Sequence, residues 1–322
     1  MTTTESPPAE KPDAGGSGAS TSTSRGSDPA GSRRRREYLL FLAFVAPNVI
    51  LLAVFAYWPI LFNGYLSLTS WDLLSDTIPF VGLANYTDMF GDLDFYWVLL
   101  RTVIFSGAVV IGCLLGGIAI ALLLNQKLIG RNVVRTVTFA PYVLSGAAMG
   151  TVWLFIFDPD YGLIQNLLQL FGIGGPDWLT DSMWALPALI IVYLWANVGF
   201  VAVIYLAGLQ GVPPELYEAG RIDGADSWVL FRRITLPLLS PITFFVSVIT
   251  VVRTFQAFDV IAIMTAGGPG DATTTISWYI YEQAFQALDA GHAGAGAIVM
   301  FVILVALTWL QARFMERRVH YS

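Results

Sequence analysis

Arg253, Gln256 and Asp259 fall within one apolar run, VVRTFQAFDV, at residues 251–260. Gln256 is three residues after Arg253, on roughly the same helical face, and Asp259 follows six residues after the arginine. An ionisable group inside an apolar span is costly and marks a functional position by default. A guanidinium fork can grip a phosphate or vicinal hydroxyls with two parallel hydrogen bonds; an internal ion pair or snorkelling are the alternatives. Asn197 lies in a second apolar run beside Tyr193 and Trp195. Amides next to aromatic faces suit a sugar, although Tyr and Trp also anchor spans at the lipid interface. These five polar positions, Tyr193, Asn197, Arg253, Gln256 and Asp259, are the candidate solute-path residues.

The elements that must position them are membrane spans. The chain has 322 residues, 56% hydrophobic and 12% charged, about half the charge of a soluble domain. A hydrocarbon core needs about 20 apolar residues per helix. Six segments qualify: 38–60, 96–124, 136–157, 183–209, 242–264 and 292–312. None alternates as a barrel strand does, so an all-α membrane protein with six transmembrane helices is expected. The Gly112, Gly116, Gly117 set and the Gly291, Gly294, Gly296 set are read as close helix-packing points.

Charge placement gives an orientation. The loops 61–95, 158–182 and 265–291 contain no Lys or Arg, whereas 15 of the 17 basic residues lie in the N-terminal stretch, after spans 2 and 4, or after span 6. The positive-inside rule therefore puts both termini in the cytoplasm. Residues 1–36, rich in Ser, Thr, Gly, Pro and Ala and ending in four arginines, read as a disordered cytoplasmic tail. Residues 37–314 read as the membrane domain and 315–322 as a second tail. Cys113 is the one cysteine, which excludes an intrachain disulfide and a cysteine zinc site. No basic, aromatic-interleaved patch points to nucleic acid.

One inner loop, residues 210–237, is polar and yet built to fold. Pro213-Pro214 suits a helix start, with Glu215 and Glu218 in its first turns. Gly224 is a stop, and Asp226 or Ser227 can cap a second short helix. Trp228, Phe231 and Ile234 then form an apolar face.

The loop resembles the EAA signature of bacterial ABC importer permeases: Glu218-Ala219-Gly220, three residues, Gly224, nine residues, then Ile234-x-Leu236-Pro237. Gly220 departs from the pattern, which usually has Ala there. Further stretches resemble the carbohydrate and glycerol 3-phosphate type of this family. They are FVGLANYTDMF at 80–90, Phe258-Asp259, Thr265 with Gly267-Gly268-Pro269, and the closing RFMERRVHY.

The resemblance implies a type I importer permease fold with a cytoplasmic coupling helix. It implies docking on an ATPase dimer through Glu218, Ala219, Gly220, Asp223, Gly224 and Ala225. It further implies a second homologous permease chain and an extracytoplasmic solute-binding lipoprotein that meets Gly267, Gly268 and Pro269. The implied location is the bacterial plasma membrane. Neither lysine sits in a phosphate-binding loop, so ATP and Mg are expected on the partner ATPase, with no cofactor and no catalytic residue in this chain. An intramembrane serine protease built on Ser145 and His292, or an ATP-independent channel or secondary transporter, is the alternative. Neither accounts for the EAA spacing.

Overall fold

A computed structural model describes residues 29–126 and 130–316. The chain divides into two compact units, Met1–Tyr57 and Trp58–Ser322.

The first unit is helical from α1 (Pro29–Leu52) through a wide π-helical turn at Ala53–Tyr57. Pro29 opens the helix, where a missing N–H costs nothing. The start corrects the boundary expected for the tail: residues 29–36 are helical, because arginine is a good helix former that extends the apolar run backwards. Residues 1–28 of that tail, and 317–322 of the second, lie outside the described residues. Phe44 and Phe55 are 84% and 75% exposed, and a helix apolar all round belongs in lipid. The first candidate span is Arg34–Leu66.

The second unit begins with α2 (Trp58–Leu66), α3 (Ala84–Gly91) and α4 (Leu93–Leu124). It continues with α5 (Arg131–Val143), α6 (Gly146–Ile156), α7 (Leu163–Leu170) and α8 (Ala185–Gln210). Two short helices, α9 (Pro214–Ile222) and α10 (Ser227–Leu230), precede α11 (Leu236–Leu238) and α12 (Ser240–Phe255). The last three are α13 (Asp259–Met264), α14 (Ile276–Tyr281) and α15 (Ala290–Glu316). Among the described residues there is no strand, and an isolated bridge joins Thr69 to Phe80.

Helices α4 and α8 form the centre. A Cβ on Gly112 would meet Leu194 at 2.4 Å, and one on Gly117 would meet Val201 at 2.5 Å. The small residues therefore set how closely the two helices approach. Gly294 does the same for α15, where a Cβ would lie 2.9 Å from the Ser67 nitrogen. Phe105, Val109, Cys113, Leu189, Val192, Val201 and Tyr205 are fully or almost fully buried in the central core. Asn85, from the FVGLANY stretch, is buried and donates to the carbonyls of Ser67 and Thr69, both at 2.8 Å. It fixes the loop that follows α2.

Two expected spans are broken. The third is bent by 104° between α5 and α6. Pro141 lies in the last turn of α5, Leu144 is extended, and the Ser145 hydroxyl starts α6 afresh by accepting from the Ala148 N–H at 3.3 Å. The fifth stops at Phe255 and restarts at Asp259. Irregular backbone at membrane depth persists where it lines a cavity, and both breaks do so.

Candidate solute cavity and coupling turn

The breaks after α5 and α12 open on one cavity of about 280 Å³, walled by α5, α6, α8, α12 and α13. Tyr193, Asn197, Arg253, Gln256 and Asp259 all line it, so the structure brings the five candidates together. Each reaches the cavity for a local reason. Tyr193 and Asn197 are one turn apart on α8, and the Asn197 amide donates to the Tyr193 carbonyl at 2.8 Å. That bond leaves the amide oxygen and one N–H to the cavity. Arg253 is in the last turn of α12, Gln256 caps it, and Asp259 opens α13.

The Arg253 guanidinium lies over the ring of Tyr142, 4.5 Å from its centroid. Tyr142 is stacked on Phe200 at 4.4 Å and 7°. Among the described residues no carboxylate forms a salt bridge with Arg253, so the internal ion pair considered as an alternative is not what holds it. Asp259 packs instead on the first residue of α6: a Cβ on Gly146 would stand 2.5 Å from the Asp259 Cβ and 2.7 Å from its Oδ2. A carboxylate there faces the positive end of the α6 dipole. The cavity thus offers a guanidinium with free donors, an amide, a carboxylate and aromatic rings, a set that grips hydroxyls or a phosphate.

Tyr142, Gly146 and Met149 also line the cavity and were missed. Pro141 four residues before Ser145-Gly146 was the available signal. Trp195, noted beside Asn197, makes an edge contact with Trp153 at 5.5 Å and does not line the cavity.

The polar loop 210–237 folds as two helices around a tight turn. Gly224 has φ +82. Its N–H donates to Arg221 O and the Ala225 N–H donates to Gly220 O, the hydrogen-bond pair of a Schellman cap. Asp226 accepts from the Val229 N–H at 2.8 Å and caps α10. Phe231–Thr235 is a wide π-turn before Pro237, which has no N–H to continue the α pattern.

Trp228 and Phe231 share a face, their rings 5.7 Å apart, and Phe231 and Ile234 are half-buried. Trp228 itself is 66% exposed, and Leu230 is the residue buried between the two short helices. Gly220 lies where α9 meets this segment: a Cβ would reach 2.5 Å from Leu230 Cδ2. Tyr217 and Thr235 share a hydrogen bond at 3.1 Å. Glu218, Ala219, Asp223 and Gly224 are exposed and Gly220 and Ala225 half-buried. Ile222 is 86% exposed beside them.

The turn after α13 is a packed structure. Gly267, at φ +82, is buried, and a Cβ would lie 2.3 Å from Trp278 Nε1. Thr273 and Thr274 hydroxyls donate to the carbonyls of Gly268 and Gly267 at 2.8 and 3.2 Å. Gly268 and Pro269 keep part of their surface. Ser145 and His292, the protease pair, are engaged elsewhere: Ser145 caps α6, and His292 bonds Asp289 at 2.8 Å.

Apolar helices broken around a polar cavity define a helical membrane transport component. The chain belongs to the family of binding-protein-dependent transport system inner membrane components, whose model matches residues 108–321. It is a multi-pass membrane protein. It is 35% identical over 279 residues to the sn-glycerol-3-phosphate transport system permease protein UgpA of Agrobacterium fabrum, covering 86% of this chain and 95% of the relative. It is 33% identical over 276 residues to the probable starch degradation products transport system permease protein AmyD of Thermoanaerobacterium thermosulfurigenes, covering 85% and 93%. Its fold matches a crystal structure of the bacterial alginate ABC transporter in complex with alginate pentasaccharide-bound periplasmic protein. That match has a TM-score of 0.77 at 24% identity over 89% of this chain and 96% of the other.

Proposed function

We propose that this chain is one of two homologous permease subunits of an ATP-driven importer for a carbohydrate or glycerol-phosphate-type solute. The observation that carries the reading is the convergence of Tyr193, Asn197, Arg253, Gln256 and Asp259 on one cavity at two helix breaks. The solute arrives from an extracytoplasmic binding protein, a lipoprotein, that meets the outer turn at Gly268 and Pro269. Both termini and the α9–α10 turn face the cytoplasm, as the basic residues require. The exposed Glu218, Ala219, Asp223 and Gly224, with Ile222 and Trp228, are the handle for a separate ATPase dimer that carries ATP and Mg. The chain itself needs no cofactor. A second, homologous but non-identical permease completes the path in the bacterial plasma membrane. The names of the relatives support the same classes of solute: one is named for sn-glycerol 3-phosphate and one for starch degradation products.

The test is mild affinity purification of the tagged chain from native membranes, with identification of the proteins retained. An ATPase with a phosphate-binding loop and a second multi-span permease are expected. A chain that purifies by itself, folded and at full yield, overturns the reading. A binding protein retained in the same preparation would then be screened to name the solute.

A further inference from the structure

A second cavity, of about 690 Å³, lies between the end of α6, the loop 157–159, the loop 177–180 and the turn after α13. Thr151, Phe155, Asp158, Asp177, Trp178 and Thr265 are among the groups that line it. It shares two walls with the first cavity. Gly146 of α6 and Asp259 of α13 line the inner one, while Phe155 and Met264, near the other ends of the same helices, line the outer one. The two helices pack side by side, since a Cβ on Gly150 would meet Ile263 at 3.0 Å.

We propose that this outer cleft is a separate saccharide subsite, occupied by a neutral sugar ring before it enters the inner cavity. The proposal rests on the permease reading and adds a site to it.

Four observations select that ligand. First, Trp178 is a braced platform: its ring is 5.2 Å from Phe157 and 5.3 Å from Trp184. An indole held in place presents an apolar face to the C–H side of a sugar at low entropic cost. Second, Thr151 and Thr180 also line the cleft, and a threonine hydroxyl can donate to or accept from a sugar hydroxyl. Third, Asp158 is fixed: its Oδ1 accepts from the N–H groups of Asp160 and Tyr161 at 2.9 and 2.8 Å. Its Oδ2 accepts nothing among the described residues and suits a hydroxyl donor.

Fourth, charge excludes the competitors. No Lys or Arg occurs in residues 158–182 or 265–291, and the α6 and α13 ends that line the cleft are their negative ones. An anion is therefore repelled from the cleft. A quaternary ammonium needs several ring faces around one point, but Phe157 is 1% exposed and its faces are covered. The volume also exceeds a single small headgroup and falls within the size range of ligand pockets.

An aromatic ladder connects the two sites. Trp178 meets Phe157, Phe157 meets Trp153 at 5.2 Å, and Trp153 meets Trp195 at 5.5 Å. Trp195 directly precedes Ala196 and Asn197, which line the inner cavity. Ser182 fastens the loop to the outer turn through the Pro269 carbonyl at 3.4 Å.

The experiment is saturation-transfer NMR on the chain, purified with whatever partners it retains, in lipid nanodiscs. The probes are the neutral trisaccharides maltotriose, cellotriose and raffinose, with sn-glycerol 3-phosphate as the anion. At least one trisaccharide is expected to show transfer to its ring C–H protons; any transfer to the anion belongs to the Arg253 cavity and is expected to be the same in wild type and Trp178→Ala. Trp178→Ala is expected to reduce the trisaccharide signal at least fivefold, whereas Trp178→Phe retains more than half. Asp158→Asn, which keeps the Oδ1 acceptor of the turn, covers the case in which Trp178→Ala does not fold, and is expected to weaken the signal at least twofold. No transfer from any trisaccharide overturns the proposal. So does a trisaccharide signal unchanged in both Trp178→Ala and Asp158→Asn, or transfer to sn-glycerol 3-phosphate that falls with Trp178→Ala. Retention of the ATPase in the same preparation separates the two readings: with it retained and no sugar bound, the subsite fails and the permease assignment stands.

Discussion

Arg253 is held by Tyr142: the guanidinium carbon lies 4.5 Å from the ring centroid, and Phe200 backs that ring at 4.4 Å. A guanidinium over an aromatic face keeps its N–H donors at the rim free for a ligand. A carboxylate partner would consume them.

Removing the platform should therefore weaken solute handling without removing the charge. A desolvated cation–π contact is worth about 2 kcal/mol. Tyr142→Ala is expected to raise the apparent KM for uptake roughly thirtyfold, with Tyr142→Phe within about threefold. Uptake of the labelled solute into proteoliposomes holding the assembled importer measures both. Equal uptake by Tyr142→Ala and wild type would remove the role given to the ring.

Gly146 is the contact between the two broken spans. Gly146→Ala places a Cβ 2.5 Å from the Asp259 Cβ, and overpacking of this kind costs about 1–3 kcal/mol. Gly107 is a control on α4, with nothing within 4 Å of an added Cβ. Gly146→Ala is expected to lower the melting temperature in detergent, and Gly107→Ala to leave it unchanged or raise it slightly.

At Gly224 space is open and the backbone is the constraint, since φ is +82 and no atom lies within 4 Å of an added Cβ. An L-residue there costs about 1–2 kcal/mol, and Asn tolerates the conformation better than Ala. Gly224→Ala is expected to uncouple, with solute-stimulated ATPase activity reduced severalfold while the chain still inserts and assembles. Gly224→Asn should keep most of it. The ATPase rate of the reconstituted complex, with and without loaded binding protein, reads this directly.

Asp289 ties the start of α15. The His292 ring nitrogen bonds it at 2.8 Å and the His292 N–H donates at 2.9 Å. These bonds, the ring contact foremost, hold the Asp289 carboxyl below the usual carboxylate range. A lowered folded value means the stabilisation is complete above the unfolded carboxylate value and fades as pH falls through the folded one. The melting temperature of wild type is expected to exceed that of Asp289→Asn at about pH 6 and to converge with it towards about pH 3. A gap that persists at acid pH would assign the contact a purely steric role.

The spans were legible because length and apolarity report them directly. The α9–α10 turn was legible because its Pro, Gly and Asp each have one local use, and the structure employs Pro213, Gly224 and Asp226 as caps. The cavity was half legible. Arg253, Gln256, Asp259 and Asn197 are polar in apolar runs and stand out. Tyr142 and Gly146 do not, because a tyrosine and a glycine are ordinary in a span, and their roles depend on a bend that no periodicity encodes. The fifth-span break carries no Pro or Gly at all; polar Gln256 sits where the ladder stops. Gly220 reads as a weakened helix until α10 is seen lying against it.

The π-turn at Phe231–Thr235 sets an angle. A wide turn holds one more residue than the α pattern, and each residue advances an α-helix by about 100°. The extra residue therefore fixes the rotational phase between the α9–α10 turn and α12, which carries Arg253. Shortening the segment by one residue would leave every side chain of the turn intact and aim it about a quarter-turn away. In this protein the direction in which the turn points is stored as a count of residues.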